Sequence, residues 1–151
     1  MRMTCALTGH RDLPDAFDKN ALYDALEALI RRGCDRFLCG MARGFDLAAL
    51  ACLADLKQRY RITLVACVPY AGQERGFSER EKREYRALLE GCDECIVLSP
   101  HYRAGCLLAR NRYMVDRADV LLAYCTRETG GAAYTVRYAQ KQNVEVQLFG
   151  A

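Results

Sequence analysis

Short apolar runs alternate with segments of helical period along the whole chain, and this alternation narrows the fold more than any other feature. Met3–Leu7, Arg36–Cys39, Ile62–Val68, Glu94–Leu98, Val120–Tyr124 and Val144–Phe149 read as strands, apolar on both faces. Between them, Leu22, Ala25, Leu26, Leu29 and Ile30 recur at helical spacing and stop at Gly33. Further helices are predicted from Phe45 to Tyr60, over Leu107–Ala118 and over Ala132–Gln142. Ser78 and Glu81 form an S-x-x-E capping box that opens a charged helix to about Glu90. Strands that need cover on both faces, separated by helices, imply a parallel sheet between two helical layers. The expectation is an α/β chain: a three-layer α/β/α domain spanning 1–151, with a mostly parallel sheet of about six strands. Pro100–Gly105 fits no element.

A chain of 151 residues can bury roughly two-thirds of its unfolded surface and needs no staples. That matters for its nine cysteines, which are odd in number and irregular in spacing. Met1–Leu7 has neither the charged region nor the apolar stretch of a signal peptide. A secreted disulfide framework is therefore disfavoured and a cytoplasmic location expected. Most of the cysteines fall in apolar runs, where a free thiol acts as a small hydrophobe. Cys92 and Cys95 form a lone C-x-x-C pair without a second pair or a suitably spaced histidine, so it reads as structural and no metal site is expected. No apolar run approaches the ~20 residues of a membrane-spanning helix. The net charge of +3 is too small to demand a nucleic-acid partner. Of 22 basic residues, however, 18 are Arg, the side chain suited to bidentate recognition of phosphate.

Right-handed crossovers gather the strand-to-helix loops at one edge of such a sheet, where ligands bind. Three of those loops hold unusual residues. They are Thr8-Gly9-His10-Arg11, Gly40-Met41-Ala42-Arg43-Gly44-Phe45-Asp46 and Thr126-Arg127-Glu128-Thr129-Gly130-Gly131-Ala132. Each combines glycine with a hydroxyl or a guanidinium. The second and third run directly into a helix N-terminus, where unpaired N–H groups and the helix dipole favour an anion. Arg110 and Asn111 open a later helix and can reach the same edge. No G-x-G-x-x-G or G-x-x-x-x-G-K-[ST] fingerprint occurs.

With these segments in hand, the chain resembles the YpsA-like proteins (DUF1273) of the SLOG superfamily. The matching stretches are Thr8–Arg11, Cys39–Ala49, Pro69-Tyr70 with Gln73-Glu74, Arg110–Asp116, and Gly130-Gly131 followed by Tyr138-Ala139. The Gly40–Asp46 loop is similar to that of the DprA proteins. Gly130-Gly131 is similar to the glycine loop of the LOG phosphoribohydrolases. The resemblance implies a Rossmann-like fold and a nucleotide or nucleotide-derivative site at the sheet edge. The contacts it implies are Thr8, Gly9, Gly40, Arg43, Gly44, Asp46, Arg110, Asn111, Gly130 and Gly131. His10, Arg11 and Met41 join them as their loop neighbours. Two positions depart from the family, Leu50 where an acidic residue is usual and Ala132 where Thr often stands.

Three functions compete. The residues favour a binding or sensor module that cradles phosphate on the Gly40–Gly44 and Gly130–Ala132 loops, pairs it with Arg43 and turns a base or sugar toward Thr8 and His10. No cofactor is expected beyond that small-molecule nucleotide ligand. The alternative is an N-glycoside hydrolase of nucleoside monophosphates. The helix after Gly131 lacks the carboxylate of LOG enzymes, which leaves Asp46 and Glu128 as candidate catalytic groups and disfavours an enzyme. The third is single-stranded DNA binding, as in DprA, which the weak net charge does not favour. A homodimer through the apolar helix Phe45–Leu56 is a further arrangement the pattern permits.

Overall fold

A computed structural model describes residues 2–150. The order of elements is β1 (Met3–Gly9), α1 (Lys19–Arg32), β2 (Cys34–Cys39), α2 (Phe45–Leu56), β3 (Thr63–Val68), α3 (Glu79–Glu90), β4 (Glu94–Val97), α4 (Cys106–Asp116), β5 (Val120–Tyr124), α5 (Gly131–Lys141) and β6 (Glu145–Leu148), with a short 3-10 turn at Gln73–Gly76. The six strands form one sheet in the order β4-β3-β2-β1-β5-β6. Every neighbouring pair is parallel, so the sheet is wholly rather than mostly parallel.

The helices start and stop where local chemistry dictates. Asp18 caps α1 by accepting the Ala21 N–H at 2.9 Å. At α3 both halves of the capping box form, with Ser78 Oγ accepting from the Glu81 N–H and Glu81 accepting from the Ser78 N–H. Helix α2 ends at Leu56, four residues before Tyr60. Beyond it the chain tightens into turns, and Tyr60 and Arg59 are drawn to Glu27 at 2.6 and 2.5 Å.

Each face of the sheet has its own core. One side packs Leu22, Leu26 and Leu29 of α1, Leu50 and Leu53 of α2 and Tyr85 of α3 on Leu7, Phe37, Leu64 and Leu122. The other packs Met114 and Val115 of α4 and Ala139 of α5 on Ala6, Leu38, Val65 and Leu121. Helix α2 lies inward between α1 and α3, with Phe45, Leu47, Ala49, Leu50, Leu53 and Leu56 buried. Cys5, Cys34, Cys39, Cys67 and Cys106 are buried, and all nine cysteines are free thiols. Burial pushes the Cys67 thiol up to about 12, which fits an inert core group.

The chain runs from β1 outward through β2 and β3 to β4, then returns to place β5 on the other side of β1. The strand order therefore reverses between β1 and β5. In parallel sheets the crevice at that reversal, beyond the carboxyl ends of the strands, is where ligands bind.

Candidate functional site

A cleft of about 480 Å³ opens at this reversal, inside the ~300–1,000 Å³ range of small-molecule sites. Three adjacent strands bring the three loops together. The β1 loop contributes Thr8, Gly9, His10 and Arg11, and the β2 loop contributes Arg43 and Asp46. The β5 loop contributes Gly130 and Gly131, while Arg110 and Asn111 come from α4. Three predicted contacts do not line it. The Gly40 carbonyl is turned to Arg110 and Gln73, and Met41 is fully buried with a left-handed φ of 62°. Gly44 is wedged under the β1 loop, where an added Cβ would lie 2.2 Å from the Arg11 carbonyl oxygen. Glu128 also stays outside the cleft lining; its backbone carbonyl accepts from Arg137 at 3.0 Å.

Two opposite charges sit at the bottom. Asp46 and Arg110 are each 5% exposed. Asp46 Oδ2 accepts the Ala42 N–H at 3.2 Å, while Oδ1 is buried with no hydrogen-bond partner. Burial pushes the Asp46 carboxyl up to about 6, against the pull of Arg110, the Ala42 N–H and Arg11. Burial likewise lowers the Arg110 guanidinium, and Asp46 offsets part of that. Arginine stays charged even so.

Arg110 also ties the walls together. Its Nη1 donates to the Gly40 carbonyl and its Nε to Asn111 Oδ1 at 2.7 Å. Asn111 Nδ2 donates to Thr135 Oγ1 at 2.9 Å, and the Thr135 hydroxyl donates to the Gly131 carbonyl at 2.8 Å. Gln73 adds a second donor to Gly40 at 3.2 Å and is itself held by Tyr85. A continuous chain of hydrogen bonds, buried except for the last, thus runs from the β2 loop to the first turn of α5. Arg110 and Asn111 support the cleft as well as line it.

The far end is a helix N-terminus. Gly130, at φ 97°, precedes α5, and no side chain caps that helix. Its first N–H groups have no partner within the helix and make an anion-suited end. Arg127 and Thr129 flank it. Both belong to the third loop, but neither was among the expected contacts. Ala42 lines the cleft from within the expected Gly40–Gly44 loop, whereas Asp12, Leu107 and Leu108, which also line it, were not anticipated. Among the described residues no group of three or more His, Cys, Asp or Glu side chains is placed to hold a metal. Among the described residues no helix is long and apolar enough to cross a membrane.

His10 closes the rim. Its Nε2 accepts the Thr126 N–H at 2.9 Å, which requires the neutral ring, and the ring packs edge-on against Tyr124. Burial and the nearby Arg127 charge lower its pKa from the ordinary value. The latch is therefore present above about pH 6.5 and lost as pH falls through the lower folded value. We expect Thr126 amide hydrogen exchange, corrected for its intrinsic pH dependence, to accelerate on acidification, and a His10→Phe variant to exchange fast throughout. A Thr126 amide equally protected in both proteins would refute the latch.

The model of the YspA SLOG family matches residues 14–149. The SPbeta prophage-derived protein YoqJ of Bacillus subtilis (strain 168) is 26% identical over 145 residues, covering 87% of this chain and 85% of that protein. The UPF0398 protein YpsA of the same strain is 27% identical over 128 residues, 82% of this chain and 71% of that one. Among solved structures, DNA processing protein A (DprA) of Streptococcus pneumoniae aligns with a TM-score of 0.73 at 17% identity, over 99% of this chain. DprA of Helicobacter pylori, whose structure addresses its single-stranded DNA binding mode, gives 0.69 at 17% identity over 97% of this chain. This chain spans 50% and 64% of those two proteins. At such identity the likeness establishes the fold.

Proposed function

Because this chain belongs to the YspA SLOG family, we propose that its cleft binds a nucleotide or nucleotide-derived small molecule. The phosphate sits at the N-terminus of α5 between Arg127 and Arg43. The sugar and base extend toward Asp46, Thr8 and His10. One observation carries this reading: a single cleft pairs an uncapped helix N-terminus with a buried, unpartnered carboxylate oxygen. An unpartnered buried acceptor is costly unless a ligand satisfies it. A ribose hydroxyl is a donor of the right kind, and the helix end takes the charge. Binding rather than hydrolysis is favoured. Glu128 lies outside the lining, and the other carboxylate there, Asp12, is exposed and held by Arg43, so Asp46 has no free second carboxylate of the kind glycoside cleavage ordinarily uses.

Calorimetry with AMP, ADP and ADP-ribose tests the proposal, together with amide shift mapping. We expect saturable binding, with the largest shifts at Gly130, Gly131 and Ala132. No binding of any nucleotide at millimolar concentration would refute it. Single-stranded DNA is the second reading. It is supported by Arg11, Arg43 and Arg127 lining one cleft and by fold likeness to H. pylori DprA. It requires an affinity that falls steeply and log-linearly with salt, whereas a mononucleotide site depends on salt only weakly.

A further inference from the structure

We propose that Asp12 is a built-in competitor for the ligand of this cleft, a carboxylate that occupies Arg43 until a phosphate-bearing ligand takes its place. The inference rests on the anion-binding reading above and adds the residue that tunes it. Arg43 Nη1 lies 2.9 Å from Asp12 Oδ1, and both residues line the cleft. Among the described residues, Asp12 is the only side chain hydrogen-bonded to that guanidinium.

The charges at the site divide into two groups. At the bottom, Asp46 and Arg110 are buried and offset one another. Arg11, Arg43 and Arg127 also line the cleft, and Asp12 is the one exposed carboxylate among its lining residues. This second group is short of negative charge, and Asp12 supplies part of what a ligand brings.

The Asp12 side chain is 78% exposed, against 38% for Arg43. It sits in the irregular segment between β1 and α1, so its carboxylate can swing into water without disturbing packed structure. An exposed ion pair of this kind changes an equilibrium constant by roughly two- to fivefold. A phosphate dianion can exceed that, because it offers three acceptor oxygens to a forked donor. The cost of displacing Asp12 is the same for every anion that takes Arg43, so Asp12 lowers apparent affinity by one common factor.

The test titrates inorganic pyrophosphate and AMP, at fixed ionic strength, into wild type, Asp12→Asn, Arg43→Gln and the double variant. Thermal melts confirm that each is folded. We expect Asp12→Asn to bind pyrophosphate two- to fivefold more tightly, Arg43→Gln to bind it more weakly, and the double variant to match Arg43→Gln. Equal or weaker pyrophosphate binding by Asp12→Asn overturns the inference, as does absence of pyrophosphate binding in every variant. A gain that persists without Arg43 also overturns it, because that is a general effect of net charge. The AMP titration of wild type judges the nucleotide reading separately: AMP binding without any Asp12→Asn effect leaves that reading standing and removes this one.

Discussion

Replacing Arg110 by methionine is expected to cost about 3–5 kcal/mol of folding stability, the range for leaving a buried opposite charge uncompensated. The loss is not that of a surface bridge. Methionine leaves the Gly40 carbonyl without its Arg110 donor and frees Asn111 Oδ1. It also strands Asp46, whose Oδ1 already lacks a partner. The Asp46→Asn/Arg110→Met double variant should recover much of the loss, because the uncompensated charge is then gone. pH separates this account from simple loss of packing. In the wild type the Asp46 carboxyl is pushed up to about 6, above the unfolded value of about 4. Its favourable contribution is complete below about pH 4 and is lost as pH rises through 6, a swing of about 3 kcal/mol. Without Arg110 the carboxyl titrates higher still, so the single variant should be closest to wild type in acid and most defective above neutrality. Urea unfolding from pH 4 to 8 measures this. A destabilisation of Arg110→Met that does not vary with pH would show that Asp46 is not the stranded group.

Gly44→Ala is the second large effect expected, about 3 kcal/mol. Left-handed backbone costs a residue with a Cβ about 1–2 kcal/mol, and forced overlap in a packed site adds roughly 1–3. Gly44 has φ 82°, and an added Cβ would stand 2.2 Å from the Arg11 carbonyl oxygen and 2.6 Å from that of His10. Both obstacles are backbone, so no side chain can rotate away. Relief requires the β1 loop to lift off α2, which breaks the 3.0 Å hydrogen bond from the Phe45 N–H to the His10 carbonyl. The melting temperature should fall by roughly 6–12 °C for a chain of this size, and the cleft should lose its alignment. Gly131→Ala is the control. Its Cβ would meet nothing within 4 Å, and the melting temperature should hold. Equal effects from the two substitutions would mean that the clash at Gly44 is relieved at little cost.

The layers and strands were legible because the strands carry apolar residues on both faces, and only cover from two sides satisfies that pattern. Convergence of the three loops was legible for the same reason: parallel topology alone puts them on one edge. What could not be read was the aim of side chains. Arg110 falls on the correct edge in the sequence, yet its buried role depends on a carbonyl 70 residues earlier, and no local spacing encodes that. Met41 and Gly44 sit in the right loop, but the turn directs one into the core and the other against backbone. Asp12 escaped notice because an acidic residue in an irregular loop has no period to mark it. The end of α2 was overrun because the pull of Glu27 on Tyr60 is tertiary, while helical propensity is local.

The sheet order also bears on how the chain is made. Strand β1 is translated first, yet one of its two partners is β5, paired through Cys5–Gly9 and Val120–Tyr124. Contacts of such span form slowly, and domains emerge from the ribosome N-terminal end first. Strands β1 to β4 can assemble on leaving the ribosome, but β1 then presents a bare apolar edge at Cys5, Ala6 and Leu7 until residues beyond 120 arrive. An edge of that kind invites wrong pairing. The β5 loop and the start of α5 form one wall of the crevice, so the cleft is completed last, and a nascent chain halted before β5 has four of the six strands and only the other wall.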